Sequence, residues 1–237
     1  MNKYIVAIGG GDTLEIDQRI VKLSSKKSPQ VLFIPTASYD DQRYIDWMEK
    51  LYGQKLKCKF ETLLLLREKP SKKEIKEKIA AADIIYVGGG NTLKMVRLWR
   101  RLGVDKLLKN AYNKGAVLCG VSAGAICWFD YGHSDSMSYY NPKKWEYIRV
   151  KGLGFLSGTA CPHYDSKTGR KYRRKDFQKM FLKNAGTGPG SNLGLAITDS
   201  AALLYNNGNI QEVLTTTKTA SASQLTKIKG KVQENPL

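Results

Sequence analysis

The chain has 237 residues, of which 42% are hydrophobic and 25% charged. This composition excludes a chain disordered throughout, a collagen-like repeat and a coiled coil, and it suffices for a buried core without disulfide or metal staples. Lys and Arg number 39 against 21 Asp and Glu, a formal charge of +18 that draws in anionic substrates, nucleic acid or anionic surfaces and also favours solubility.

The first two-thirds alternates between apolar runs and helical periodicity. Tyr4–Ile8 predicts a buried strand that stops at Gly9-Gly10-Gly11. Asp12 and Glu15 have capping-box spacing, so a helix through Ile20 is expected. Val31–Ile34 predicts a second strand, ended by Pro35. Tyr44, Ile45, Met48, Leu51 and Tyr52 recur at helical spacing after Asp40-Asp41. Phe60–Leu66 reads as a third strand, and Ser71 with Glu74 opens a helix that buries Ile75 and Ile79. Ile84–Val87 leads into Gly88-Gly89-Gly90, and Asn91 is a good cap for a helix carrying Leu93, Val96 and Trp99. A further helix holds Val104, Leu107, Leu108 and Ala111, and the strand Ala116–Cys119 follows.

Continuous apolar strands between amphipathic helices predict an α/β fold, with a mostly parallel central sheet covered by helices on both faces. Beyond Ser122 the pattern loosens. Residues 129–150 read as loop and short structure, and Gly152–Leu156 and Leu193–Ile197 as strands. Ala201–Tyr205 and Ile210–Leu214 flank Asn206-Asn207-Gly208 as a C-terminal β-hairpin, and the polar tail after it offers one edge strand. No linker or repeat is visible, so residues 1–237 are expected to form one domain.

No apolar run approaches the roughly 20 residues that span a bilayer. The apolar start meets glycine too soon for a signal-peptide core. Cys58, Cys119, Cys127 and Cys161 form no CxxC pair or zinc spacing, which fits reduced thiols. A cytoplasmic protein without metal or cofactor, monomeric or homodimeric, is the expectation.

Gly120-Val121-Ser122-Ala123-Gly124 is a G-x-S-x-G motif between an apolar strand and a helix-compatible segment. That is the setting of a nucleophile elbow, where small neighbours let a sharp turn project a serine hydroxyl at the carboxyl end of the sheet. The Ala123 N–H can then face an oxyanion. A serine needs a base, and the chain has only His133 and His163. His163, in a loop just past a strand, is favoured; His133 lies beyond the helix that leaves Ser122. Asp135, Asp165, Asp176 and Asp199 are all candidates for the acid. A second oxyanion donor is expected from Gly88-Gly89-Gly90-Asn91-Thr92. Neither glycine loop fits a P-loop or a full dinucleotide fingerprint.

Taken together, Gly88-Gly89-Gly90-Asn91-Thr92, Gly120-Val121-Ser122-Ala123-Gly124-Ala125 and Pro162-His163 resemble the serine peptidase family of aspartyl dipeptidase (peptidase E) and cyanophycinase, over roughly residues 4–205. The resemblance implies a class I glutamine-amidotransferase-like fold with a flavodoxin-like core. It implies Ser122 as nucleophile, His163 as base, and Gly89 or Gly90 with Ala123 as oxyanion donors. In the family the acid is either an aspartate soon after the serine, which corresponds to Asp135, or a later glutamate, whose position falls at Thr198 with Asp199 beside it. Asn91, Arg173 and Arg174 are the substrate-binding candidates, because an aspartyl substrate needs a cation and arginine pairs bidentately with carboxylates. The basic stretch Arg170–Lys175 lacks the interleaved aromatics of a nucleic-acid platform, so nucleic acid is not an expected partner. The expected substrate is a small peptide. The competing expectation is a non-catalytic relative that binds a peptide or small anionic metabolite in the same pocket. An ordinary α/β-hydrolase is a further alternative, but no histidine follows His163.

Overall fold

The computed structural model describes residues 2–11, 13–166 and 172–237. Asp12, the predicted cap, and Arg170 and Lys171 of the basic stretch lie outside them.

The predicted parallel sheet is present. Its strands β1 (Tyr4–Ile8), β2 (Gln30–Ile34), β3 (Lys59–Thr62), β4 (Ile84–Val87) and β5 (Val117–Val121) are joined by β10 (Ala201–Asn206) and β11 (Asn209–Thr215) in the order β11-β10-β1-β5-β4-β2-β3. The first five are mutually parallel, and the β10–β11 hairpin closes one edge antiparallel to β1. Burial explains the continuous apolar runs, since β4 is buried at every position while the edge strand β3 is at most half-buried.

Helices α1 (Leu14–Leu23) and α2 (Gln42–Met48) cover one face, putting Ile16, Ile20, Ile45 and Met48 onto Val6, Val31 and Phe33. On the other face Ile75, Ile79, Met95, Trp99 and Leu108 of α3 (Lys72–Ala81), α4 (Thr92–Leu102) and α5 (Val104–Asn113) cover Leu32, Ile85 and Leu118. Ser71 and Asn91 open their helices as expected, accepting from the N–H groups of Glu74 and Lys94, and Asp41 caps α2 by accepting from Tyr44 N–H. The helix after Asp41 continues as a π-helical segment, Glu49–Lys55.

The loosened region is more ordered than its sequence suggests. A second sheet contains β6 (Phe129–Ser134), β7 (Ile148–Lys151), β8 (Leu156–Cys161), β9 (Gly194–Ile197), β12 (Ala222–Ile228) and β13 (Lys231–Pro236), in the order β13-β12-β9-β8-β6-β7. The tail is therefore a hairpin on this sheet rather than a lone edge strand. One apolar core runs under both sheets, from Leu118 and Leu203 to Phe129, Leu156 and Leu195. The chain passes from the second sheet to the first at Thr198-Asp199-Ser200, between β9 and β10, and this junction positions the site.

Candidate active site

Ser122 follows β5 with φ 57° and ψ −111°, a backbone conformation that costs a non-glycine residue on the order of 1–3 kcal/mol. Its two flanking glycines permit it: a side chain at Gly120 would strike the Gly124 backbone, and one at Gly124 would strike that of Val87. The strain is held from three sides. The Ser122 N–H donates to Ile8 O at 3.0 Å, and the Ser122 carbonyl accepts from Ala125 and Ile126 at 3.0 Å each. The helix behind it, α6 (Ala123–Ile126), is one turn long, and β6 starts almost at once. This is the predicted strand–turn–helix bend with a much shorter helix.

Because β5 lies between β1 and β4, the two glycine loops flank the serine. On the β4 side, a Cβ on Gly89 would lie 3.4 Å from Ser122 Cβ. Within this loop Gly88 N–H donates to Ile34 O and Asn91 N–H to Ala37 O. Gly89 N–H faces the Tyr44 hydroxyl oxygen; burial pushes that phenol up to about 12, with the Gly89 contact pulling the other way. Among the described residues no acceptor takes the N–H of Gly90 or Ala123.

On the β1 side the loop carries His163. His163 follows β8 and Pro162 and has φ 53°. A Cβ at Gly10 would overlap both the His163 ring and the Asp199 carboxylate, so only glycine leaves room for the pair. His163 Nδ1 meets Asp199 Oδ1 at 2.5 Å. With a carboxylate as acceptor, Nδ1 carries the proton and Nε2 is left to accept one. Asp199 is fixed in turn: its N–H donates to Asp165 Oδ1 at 3.1 Å, and Ser200 N–H donates to Gly10 O at 2.7 Å. Ser122 Oγ and His163 are not hydrogen-bonded to each other; such bonds are often long before substrate tightens them.

Several sequence-predicted residues are placed elsewhere. Asp135 follows β6 and pairs with Arg173 at 3.1 Å, whereas the carboxylate on the His163 ring is that of Asp199. The reason is topological: the β9–β10 junction crosses directly beside β1, while β6 ends on the far side of β8. Thr198 is held by Ser221, donating through Oγ1 to its carbonyl and accepting its N–H. Asp176, itself half-exposed, binds the fully buried His133 at Nε2 at 2.9 Å, and the His133 ring stacks on Tyr147 and lies 3.7 Å from Cys161 Sγ. Burial pushes the His133 imidazole below its ordinary value, against the opposing pull of Asp176.

The substrate-binding candidates are also committed. Arg173 is 2% exposed, with its guanidinium on Asp135, the Pro162 carbonyl (2.9 Å) and the Tyr147 hydroxyl (3.4 Å), so it cannot meet a substrate carboxylate without abandoning them. Arg174 pairs with Glu234 at 2.8 Å. Asn91 is fully buried, capping α4 with Oδ1 and donating from Nδ2 to Tyr39. Sequence reading passed over the role of Gly10, and it weighed Asp165 only as an acid for the ring, whereas Asp165 accepts from the Asp199 N–H. The glycine run was visible as a turn, but no signal tied it to a histidine in another sheet.

Known proteins resemble this chain along most of its length. The model of the family described as Peptidase family S51 matches residues 5–213. The uncharacterized peptidase YgaJ of Bacillus subtilis (strain 168) is 35% identical over 241 residues, covering 99% of this chain and 97% of its own. The uncharacterized peptidase Lmo0363 of Listeria monocytogenes is 28% identical over 162 residues, covering 64% of this chain and 74% of its own. The crystal structure of a peptidase from an acI-B1 Actinobacterium superposes with a TM-score of 0.73 at 18% identity, over 99% of this chain and 94% of that one, a likeness of fold.

Proposed function

The chain belongs to peptidase family S51, and from that membership we propose that it is a serine-type hydrolase of short peptides working through Ser122, His163 and Asp199. Ser122 Oγ attacks the scissile carbonyl carbon while His163 Nε2 takes its proton. The C–N bond breaks as the imidazolium returns that proton to the leaving amine. Asp199 stays ionised, keeping Nδ1 protonated and stabilising the imidazolium. The N–H groups of Gly90 and Ala123 are the oxyanion donors in this reading; Gly89 N–H, turned to Tyr44, lines the loop. Water then repeats the sequence on the acyl-serine and frees the acid.

The observation that carries the proposal is the His163–Asp199 pair seated on Gly10, two residues beyond the Ile8 carbonyl that holds the strained Ser122. A carboxylate on the ring weighs against the non-catalytic alternative, which drew its support from Thr198. Arg173 and Arg174, both paired, do not supply the cation that an aspartyl preference needs. A panel of Asp-Xaa and other dipeptides, with fluorophosphonate labelling of the wild type, Ser122→Ala and His163→Ala, tests the assignment. Turnover and labelling are expected in the wild type alone. Labelling that survives in Ser122→Ala would remove it.

A further inference from the structure

We infer that Arg173 is a positioning residue for the base: its grip on the Pro162 carbonyl holds His163 in the conformation that meets Asp199. The inference rests on the serine-hydrolase reading of the site.

Arg173 starts α7 (Arg173–Asn184) and is buried to 2% exposure, an unusual place for a guanidinium. A buried ion pair is seldom kept for stability alone, since apolar residues of similar volume serve at least as well. What an arginine adds is a rigid fork of donors. Here the fork spans two strand ends. Nη2 donates to Asp135 after β6 and Nη1 to Pro162 O after β8, strands that lie side by side and parallel. Tyr147 closes the third side, its hydroxyl accepting from Nε and its ring 4.9 Å from the guanidinium carbon.

The Pro162 carbonyl and the His163 N–H share one rigid peptide plane. Fixing that carbonyl sets the plane from which His163 turns through φ 53°, a left-handed conformation disfavoured for any residue with a Cβ. The far side is tied as well: Tyr164 N–H donates to Ile197 O at 3.1 Å and Ser166 N–H to His163 O at 3.0 Å. Without the grip on Pro162 the residue can relax to negative φ, which swings the ring off Asp199. A lysine cannot substitute, because one ammonium on a flexible stem does not hold both oxygens in a fixed plane.

The test compares the full-length wild type with Arg173→Ala and Arg173→Lys by two readouts. The first is the tautomer of His163, read from imidazole 15N shifts and assigned by the signals lost in His163→Asn; the chain has only one other histidine. A proton held on Nδ1 is expected in the wild type, and a mixture of tautomers in both variants. The second is the rate of Ser122 labelling by a fluorophosphonate. It should fall by roughly 10²-fold in Arg173→Ala, the scale of a misplaced catalytic group, and recover in part when guanidinium ion is added. Tautomer and labelling rate matching the wild type in both variants overturn the inference. So does a loss of labelling with the tautomer unchanged and no guanidinium rescue, which marks a general folding effect. If Arg173→Ala does not fold, Arg173→Lys, which keeps the charge, decides both readouts. If the wild type itself is not labelled, the hydrolase reading fails, and the tautomer still decides the clamp.

Discussion

His163 Nδ1 and Asp199 Oδ1 meet at 2.5 Å across the seam where the two sheets join. The ring belongs to the end of β8 in the second sheet, and the carboxylate to the crossing between β9 and β10. Both rest on the glycine loop after β1, the strand that also fixes Ser122. The arrangement therefore depends on three chain segments held at one strand end, and each can be loosened separately.

Replacing the acceptor is the most direct change. In Asp199→Asn the amide can present its NH2 to the ring and favour the wrong tautomer. Catalysis by a triad that loses its carboxylate in this way falls by ~10⁴-fold in kcat. The same loss is expected here, with KM little changed. Asp135→Asn, linked to His163 through Arg173 among the described residues, should fall far less, by ~10- to 10²-fold. Steady-state kinetics on the best substrate of the dipeptide panel distinguishes the two. Equal losses, or a larger loss at Asp135, would reverse the assignment of the acid.

Gly10→Ala attacks the seat of the pair. The backbone there has φ 153°, and the new methyl overlaps the His163 ring and the Asp199 carboxylate. Those are side-chain ends at a half-exposed position, so they can move where backbone could not. The expected outcome is a folded protein destabilised by about 1–3 kcal/mol, in line with other overpacked sites. Its labelling rate at Ser122 should drop by ~10²-fold. A circular-dichroism melt and a labelling time course measure the two effects; full activity in Gly10→Ala would show that the ring does not work from the position seen here.

The sequence carries the first sheet openly and the second scarcely at all. Val31–Ile34 and Ile84–Val87 are covered by helices on both faces, so they read as unbroken apolar runs. In β6 the run is Phe-Asp-Tyr-Gly-His-Ser, and in β8 it is Leu-Ser-Gly-Thr-Ala-Cys. These strands are buried through small residues and internally paired polar ones, such as His133 on Asp176 and Ser134 on Thr92, which leave no hydropathy pattern. In the proposed site, Ser122 and His163 stand out in the sequence because an elbow has its own spacing and only two histidines exist. The acid does not. It lies 36 residues from its histidine, and its choice follows from where β9 crosses to β10.

His133 gives the fold a pH dependence apart from catalysis. Burial lowers its folded-state affinity for protons, outweighing Asp176, and the nearby Arg173 pushes the same way; Asp135 acts with Asp176. The unfolded chain binds a proton at the ordinary value of 6.5. Between that value and the lower folded one, only the unfolded state is protonated, so stability rises with pH. The His133 contribution is then complete above about pH 6.5 and is lost progressively as pH falls below it. Urea melts at pH 5.5 and 7.5 should show wild type losing stability on acidification. His133→Gln should lose less between the same two pH values, whatever its absolute stability. An identical pH difference in both proteins would remove the histidine as the cause.

The strain at Ser122 predicts a trade between function and stability. A non-glycine residue at φ 57°, ψ −111° stores on the order of 1–3 kcal/mol, offset by the bonds to Ile8, Ala125 and Ile126. Ser122→Ala removes the hydroxyl but keeps the Cβ, and with it the strain. Ser122→Gly removes both, at the cost of a more flexible unfolded chain worth about 0.5–1 kcal/mol. The difference should leave Ser122→Gly more stable than Ser122→Ala by roughly 1 kcal/mol, with both inactive. Paired urea titrations with a common m-value measure that gap directly. A glycine variant no more stable than the alanine one would mean that the bend is relaxed in solution, and that the hydroxyl is not held by a stressed turn.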